Sequence, residues 1–356
     1  MDLKALQPLG WKPFFQHQIA PDDLESTLPL RVVEVHRSEL RTIGADGPAV
    51  VEFPRHDRWS ENVTVGDWVL ARYEGAQLYL VEVLERLNGI YRKAAGTDVS
   101  EQWISANLDS TFIVMGCDAN FNLNRLERYL ALVLECQIDP VIVLTKADET
   151  DDVEALRDQL PRDFPSHALD ARDEEQAAVL LRYLGAGQTI TLVGSSGVGK
   201  STLINTFLGE ERLETRGVRK GDQQGRHTTT SRQLIQLPTG AIVIDTPGMR
   251  ALQLPGVEEG LEKLYGDVEE LAARCRFRDC SHRSEQGCRI REALASGELD
   301  ERHWENYLKM LREQAYHERE LKSHHELTKQ RKDFTRGVRQ VTRFKQNLRD
   351  TSFRKG

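Results

Sequence analysis

The chain has 356 residues, more than one compact domain usually needs, so two or three are expected. Its 39% hydrophobic residues can build packed cores and its 29% charged residues indicate a highly soluble surface. No apolar run approaches the roughly 18 residues needed to span a bilayer. The formal charge of −8 is uneven: from Arg319 to Gly356 there are 12 Lys/Arg against 4 Asp/Glu, which leaves −16 for the rest. No basic segment followed by an apolar stretch of the secretory kind opens the chain, so a cytoplasmic location without membrane attachment is expected.

Residues 1–30 contain Pro8, Pro13, Pro21 and Pro29 and read as an irregular arm. Alternating segments at 31–35, 49–53, 67–71 and 78–83 then suggest a small antiparallel barrel. The pattern fits an oligonucleotide-binding or an SH3-like barrel equally. Around Arg92–Thr97 it loosens into a linker, a first domain boundary. Thr111–Met115 begins an α/β nucleotide domain, followed by a helix carrying Leu126, Leu130, Val133 and Leu134 on one face. Val141–Leu144 is a further apolar strand.

The strongest signal is Gly194-Ser195-Ser196-Gly197-Val198-Gly199-Lys200-Ser201, a full match to G-x-x-x-x-G-K-[ST]. It sits between a β-branched strand, Thr189–Val193, and a helical pattern through Leu203, Ile204, Phe207 and Leu208 that stops at Gly209. Glycines let the loop N–H groups converge on phosphate oxygens, and the helix start at Lys200, Ser201 and Thr202 adds its dipole. Lys200 then reaches the β- and γ-phosphates and the Ser201 hydroxyl holds Mg²⁺. Within Gly225–Thr230, Thr229 can complete the magnesium shell. Ala241–Ile244 delivers Asp245-Thr246-Pro247-Gly248, in which Asp245 holds the metal through water and the Gly248 N–H senses the γ-phosphate. The base is read before the phosphates in chain order: Asp148, in Thr145-Lys146-Ala147-Asp148, can accept two hydrogen bonds from guanine, and the Lys146 stem covers the base face. Thr145 stands where typical GTPases carry Asn, and its hydroxyl does only part of an amide's work. Each short element read alone also fits a turn or a strand start.

Further on, Cys275, Cys280, His282 and Cys288 follow C-x4-C-x-H-x5-C, a soft four-donor set suited to structural Zn²⁺. Cys117 and Cys136 read as core filling. Trp304, Leu308, Leu311 and Ala315 form an amphipathic stripe expected to pack on the metal module. The basic tail, with Phe334, Phe344 and Phe353 interleaved, suits an RNA backbone or a solvated helical segment.

Taken together, the base-reading motif, phosphate loop, threonine switch, D-T-P-G and Cys/His cluster in this order resemble the RsgA (YjeQ) family of circularly permuted GTPases. The similarity runs over nearly the whole chain, including Val65-Gly66-Asp67-Trp68-Val69. The resemblance implies an N-terminal OB-type barrel (31–97), a circularly permuted P-loop GTPase domain (98–257) and a C-terminal α-helical zinc-binding domain with a basic helical tail (258–356). It also implies GTP hydrolysis stimulated by the small ribosomal subunit, contact with its rRNA, and a role in late subunit maturation; a monomer is expected. Leu169-Asp170-Ala171 lies where GTPases usually have Ser-Ala, and Asp170 departs from that pattern. Met249 follows D-T-P-G where Ras-like enzymes carry Gln, so intrinsic turnover should be slow, with His227 the internal candidate for positioning water. Two rivals remain: an RNA-binding assembly scaffold whose nucleotide is only structural, and an ATP-dependent P-loop enzyme.

Overall fold

A computed structural model describes residues 3–54, 63–93, 101–213, 232–246, 257–316 and 319. Strands β1 (Leu28–Val35), β2 (Glu39–Gly44), β3 (Gly47–Glu52), β4 (Trp68–Glu74) and β5 (Gln77–Val83) close a barrel in the order β1-β2-β3-β5-β4. Pairing is antiparallel except between β3 and β5, the Greek-key closure of an oligonucleotide-binding barrel. Period-two alternation sends Leu30, Val32, Leu40, Val51, Val69, Leu78 and Leu80 inward. Strand β2 escaped sequence reading because one of its inward residues, Thr42, is polar; its hydroxyl is satisfied by the Ala49 carbonyl at 3.0 Å.

The leading segment is not an irregular arm. It forms a 3-10 helix (Leu3–Leu9) and two short helices, α1 (Pro13–Gln16) and α2 (Pro21–Ser26), each opened by a proline at its first turn, where the missing N–H costs nothing. Leu6, Leu9, Trp11, Phe15 and Ile19 pack on Trp68, Leu70 and Leu84. Beneath them Arg31 is fully buried, donating to the carbonyls of Leu9 and Asn107. Burial pulls its guanidinium down to about 10, against the pull of Asp109 and Asp67.

The Val65–Val69 motif also acquires a structural reason. Gly66 has φ +93°, and a Cβ there would lie 2.3 Å from the Ala106 carbonyl oxygen and 2.7 Å from the Ile244 side chain. Only glycine lets the barrel approach the neighbouring sheet so closely. The fully buried Asp67 carboxylate accepts from the Thr64 N–H (2.8 Å) and from two nitrogens of Arg86 (2.6 and 2.7 Å). The chain leaves the barrel through an antiparallel ribbon, β6 (Gly89–Lys93) and β7 (Glu101–Ala106); of the linker expected at Arg92–Thr97, the first two residues belong to β6 and 94–97 lie outside the described residues.

Strands β8 (Ser110–Gly116), β9 (Asp139–Thr145), β10 (Ser166–Ala168), β11 (Thr189–Val193), β12 (Gln233–Gln236) and β13 (Ile242–Asp245) form one sheet ordered β10-β9-β8-β11-β13-β12. All pairs are parallel except β12 with β13. Both faces are covered, so the strands read as continuous apolar runs. In β8, Ile113 and Met115 face one core while Phe112 and Val114 face the other. The helices of this region are α3 (Leu123–Glu135), α4 (Val153–Arg157), α5 (Glu174–Ala177) and α6 (Lys200–Leu208); α7 (Glu258–Leu264), α8 (Gly266–Ala273), α9 (Arg289–Ser296) and helical residues 301–316 follow.

Of the expected stripe, Trp304 does meet the Cys/His module through the His282 ring, but the last helical segment docks on α3 by a different face. Asn306 and Met310 are buried, whereas Leu311 and Ala315 are exposed. The reason is polar: the buried Glu127 carboxylate of α3 accepts hydrogen bonds from Tyr265 Oη (3.0 Å), Arg302 Nη2 (2.8 Å), His303 Nδ1 (3.0 Å) and Asn306 Nδ2. Burial alone raises the Glu127 carboxyl, but the bonds from His303, Arg302 and Asn306 outweigh it and hold it at about 2. His303 is pulled down by burial, yet hydrogen bonds to Asp267 and Glu127 lift it to about 9.

Glu127→Ala should cost about 3–5 kcal/mol in urea unfolding, because it strands buried donors and an imidazolium. The carboxylate's contribution is full above its ordinary 4.5 and fades as pH falls towards 2; that of His303 is full below 6.5 and fades as pH rises through 9. The gap between wild type and variant should therefore be widest between pH 4.5 and 6.5 and narrow on either side. A gap independent of pH would mean that Glu127 contributes through packing alone.

Candidate nucleotide and metal sites

Strand β11 is buried throughout and ends at Val193, where the chain must turn sharply into α6. Gly194, Gly197 and Gly199 adopt φ of +149°, +76° and +97°. A Cβ at Gly194 would lie 2.2 Å from the Val114 carbonyl oxygen, so the loop rests directly on β8. No side chain caps the start of α6, leaving its first N–H groups directed at the loop's concavity. The Lys200 ammonium lies over the loop, donating to the carbonyls of Gly194 (2.9 Å) and Ser195 (2.7 Å). Asp245, at the end of the adjacent β13, is close enough to feel it: burial raises the Asp245 carboxyl while Lys200 opposes the rise.

At the neighbouring strand end, Thr145 is fully buried. Its hydroxyl donates to the Val198 carbonyl and lies 3.3 Å from that of Met115, so it joins β9 to the phosphate loop. Lys146 takes a left-handed conformation (φ +59°), and its ammonium binds Asp118 Oδ2 at 2.6 Å. Burial raises the Asp118 carboxyl, but the Lys146 bond and those from Asn120 bring it below its ordinary value. Ala147 and Asp148 lie in a 3-10 turn, with the Asp148 carboxylate 2.6 Å from Arg172 Nη2. Ala171 borders the same space: a Cβ on Gly199 would sit 3.5 Å from Thr145 Cβ and 3.6 Å from Ala171 Cβ.

The described residues thus bring together the loop 194–201, Thr202 on α6, Asp245, and the turn from Thr145 to Asp148 along one end of the parallel sheet, the usual binding edge of such folds. Thr229, His227 and Gly248 lie outside the described residues, as do Met249 and the basic tail beyond Arg319. Sequence reading missed Asp118, Arg172 and Arg125. The Arg125 Nη1 donates to Ser195 Oγ at 2.6 Å, joining α3 to the loop. None of the three belongs to a short motif; each is brought to the site by pairing of distant strands or helices.

Near the C-terminal end, the ligand atoms of Cys275, Cys280, His282 and Cys288 all lie within 4.8 Å of one another. His282 Nδ1 is 3.6 Å from Cys275 Sγ and 3.5 Å from Cys288 Sγ. Three sulfurs and one imidazole nitrogen at this separation fit a tetrahedral ion of the zinc type. Glu285 organises the knuckle, accepting from the N–H groups of Ser281, Arg283 and Ser284, each at 3.0 Å. The His282 ring sets its edge on Trp304 at 5.7 Å. Cys117 and Cys136 are buried apolar fillers, as expected.

Comparison with known proteins decides the family. The "Small ribosomal subunit biogenesis GTPase RsgA 2" of Vibrio parahaemolyticus is 45% identical over 336 residues, covering 94% of this chain and 92% of that protein. The chain belongs to the RsgA GTPase family. The RsgA GTPase family model matches residues 83–255. An RsgA protein of Xanthomonas euvesicatoria is 44% identical over 330 residues, covering 87% of this chain and 88% of its own. Among solved structures, YjeQ from Thermotoga maritima matches with a TM-score of 0.59 and 25% identity over 81% of this chain and 99% of that one. YloQ, described as a circularly permuted GTPase, has the same fold at a TM-score of 0.56 and 22% identity, over 81% and 95% of the two chains. A model described as ABC transporter also matches residues 182–343, a span that contains the phosphate loop. No helix among the described residues is long and apolar enough to cross a membrane. The permuted order of this RsgA-family chain is plain in the sheet: β9 with its Thr145–Asp148 turn precedes β11 and its phosphate loop, yet both lie beside β8.

Thr145→Val keeps the shape but removes the donor to the Val198 carbonyl, and should cost about 1–3 kcal/mol in chemical denaturation. Thr145→Ser should retain most of that bond. Equal stability of the Val variant and wild type would exclude a bracing role for this hydroxyl.

Proposed function

We propose that this chain is a Mg²⁺-dependent GTP hydrolase that binds the small ribosomal subunit and assists its late maturation, with slow intrinsic turnover stimulated by the subunit. The observation that carries this reading is the convergence of the loop 194–201, Asp245 and the Asp148 turn at one sheet edge, in a chain 45% identical to a relative named for small-subunit biogenesis. The cradle fits a nucleoside triphosphate: the uncapped N-terminus of α6 and the Lys200 ammonium supply positive charge where phosphate oxygens would sit. On binding, Lys200 exchanges the Gly194 and Ser195 carbonyls for phosphate oxygens, and stabilises charge that grows as the γ-phosphoryl departs. Magnesium, when bound, neutralises the β- and γ-oxygens; Ser201, Thr229 and Asp245 are the residues that would hold it. Asp148 selects guanine, the Lys146 stem covers the base, and the Gly248 N–H reports the γ-phosphate. His227 is our candidate for orienting water, since Met249 has no group able to do so.

Zn²⁺ on Cys275, Cys280, His282 and Cys288 would be structural, with no position left for substrate. The tail from Arg319 to Gly356, with its 12 Lys/Arg, supplies rRNA contacts through phosphate neutralisation. A monomer acting in the cytoplasm accords with this role. The proposed domain division is 1–30, 31–97, 98–257 and 258–356, with the leading segment docked on the barrel and residues 28–30 already part of β1.

The decisive assay is phosphate release from GTP with and without purified small subunits, using large subunits and ATP as controls. Stimulation confined to GTP and the small subunit is expected. Lys200→Ala should abolish nucleotide binding; if that variant still matures subunits in cells, the protein is a scaffold whose nucleotide is structural. Competition by ADP as strong as that by GDP would favour the ATP-dependent alternative. Purified protein should carry one equivalent of zinc by mass spectrometry, and chelation should unfold residues 275–288 while sparing GDP binding.

A further inference from the structure

We infer that Arg172 is a positioning residue for purine selection: it bridges Asp170 and Asp148, holding the Asp148 carboxylate in place to meet guanine. The inference rests on the proposed reading of Asp148 as the base-selecting group. Asp170 places a second carboxylate beside Asp148, both within reach of the same Arg172 nitrogen. A hydroxyl beside Asp148 could donate to it, whereas an ionised Asp170 offers only acceptors and adds like charge. Arg172 resolves the conflict. Its Nη2 lies 2.6 Å from Asp148 Oδ2 and 2.8 Å from Asp170 Oδ2, while its Nε and backbone N–H both lie 2.9 Å from Asp170 Oδ1. The planar fork thus grips Asp170 from two sides and extends one remaining hydrogen to Asp148.

The bridge is built on anchored backbone. The Asp170 N–H donates to Gln176 Oε1 (2.9 Å), the Ala171 carbonyl accepts from Thr206 of α6 (2.6 Å), and the Leu169 carbonyl accepts from the Ala147 N–H (3.3 Å). Loop 169–172, the Thr145–Asp148 turn and helix α6 are therefore tied to one another by hydrogen bonds. A carboxylate offers about four acceptor directions, and Arg172 uses one, so Asp148 retains those needed for the guanine N1–H and 2-amino group. Lys146, which also lies beside this site, is tied to Asp118 and competes for neither oxygen of the bridge.

The test is isothermal titration of the full chain with GDP and with inosine diphosphate, which lacks the 2-amino group, alongside steady-state GTP turnover. Wild type should prefer GDP. Arg172→Ala should weaken GDP by about five-fold, near the upper range for an exposed ion pair, and should narrow the preference over inosine diphosphate. Its KM should rise with kcat unchanged, which separates positioning from chemistry. Placing a neutral hydroxyl there in the double variant Arg172→Ala with Asp170→Ser should recover GDP affinity to within about two-fold, since the like charge is then gone. Equal or tighter GDP binding by Arg172→Ala, parallel loss for both nucleotides, or a double variant no better than the single would overturn the inference. Failure of wild type to bind GDP would instead remove the base-site reading, and this inference with it.

Discussion

The contact on which the nucleotide site depends is the hydroxyl of Thr145 bound to the carbonyl of Val198. It joins the end of β9, where the Thr145–Asp148 turn begins, to the middle of the loop 194–201. Parallel strands fix where their ends lie, but not how the loops beyond them face one another. One buried hydrogen bond, with the glycine contacts of Gly194 on Val114 and Gly199 near Thr145 and Ala171, sets that angle. Thr145, which in the sequence stands where GTPases usually carry Asn, thus also braces the loop from within.

Much of the chemistry was legible beforehand because it is local. A phosphate loop needs glycines, a lysine and a hydroxyl at fixed offsets, and a metal knuckle needs thiols and an imidazole within a short span. The central strands were equally plain, since burial on both faces leaves unbroken runs such as Val141–Leu144. What could not be read was any feature made by residues far apart. Strand β2 hides an inward Thr42, α1 and α2 hide behind prolines, and Asp118 and Arg172 reach the site only through tertiary pairing. The later part of the stripe on 301–316, Leu311 and Ala315, was misplaced for the same reason. Its docked face is defined by Arg302, His303 and Asn306, which no hydrophobic periodicity would select.

Helix α3 is the common support of the two sites. Arg125 on one side touches Ser195 of the phosphate loop, and two residues later Glu127 gathers Tyr265, Arg302, His303 and Asn306 of the C-terminal region. Trp304, beside those partners, meets the ring of His282. A continuous line of contacts therefore runs from the loop 194–201 to the cluster of Cys275, Cys280, His282 and Cys288. Such a line transmits energy only through contacts that differ between two nucleotide states.

Arg31 has a different bearing, on how such an architecture can be divided. Its guanidinium leaves β1 of the barrel to meet Leu9 in the leading segment and Asn107 at the threshold of the sheet. Deleting the first nine residues would take a partner from this buried cation, and swapping the barrel for another would remove the cation and leave the carbonyls of Leu9 and Asn107 without their donor. Leading segment, barrel and sheet are thus tied by one side chain: a chimera cut at this end of the molecule must carry all three across or rebuild their shared keystone.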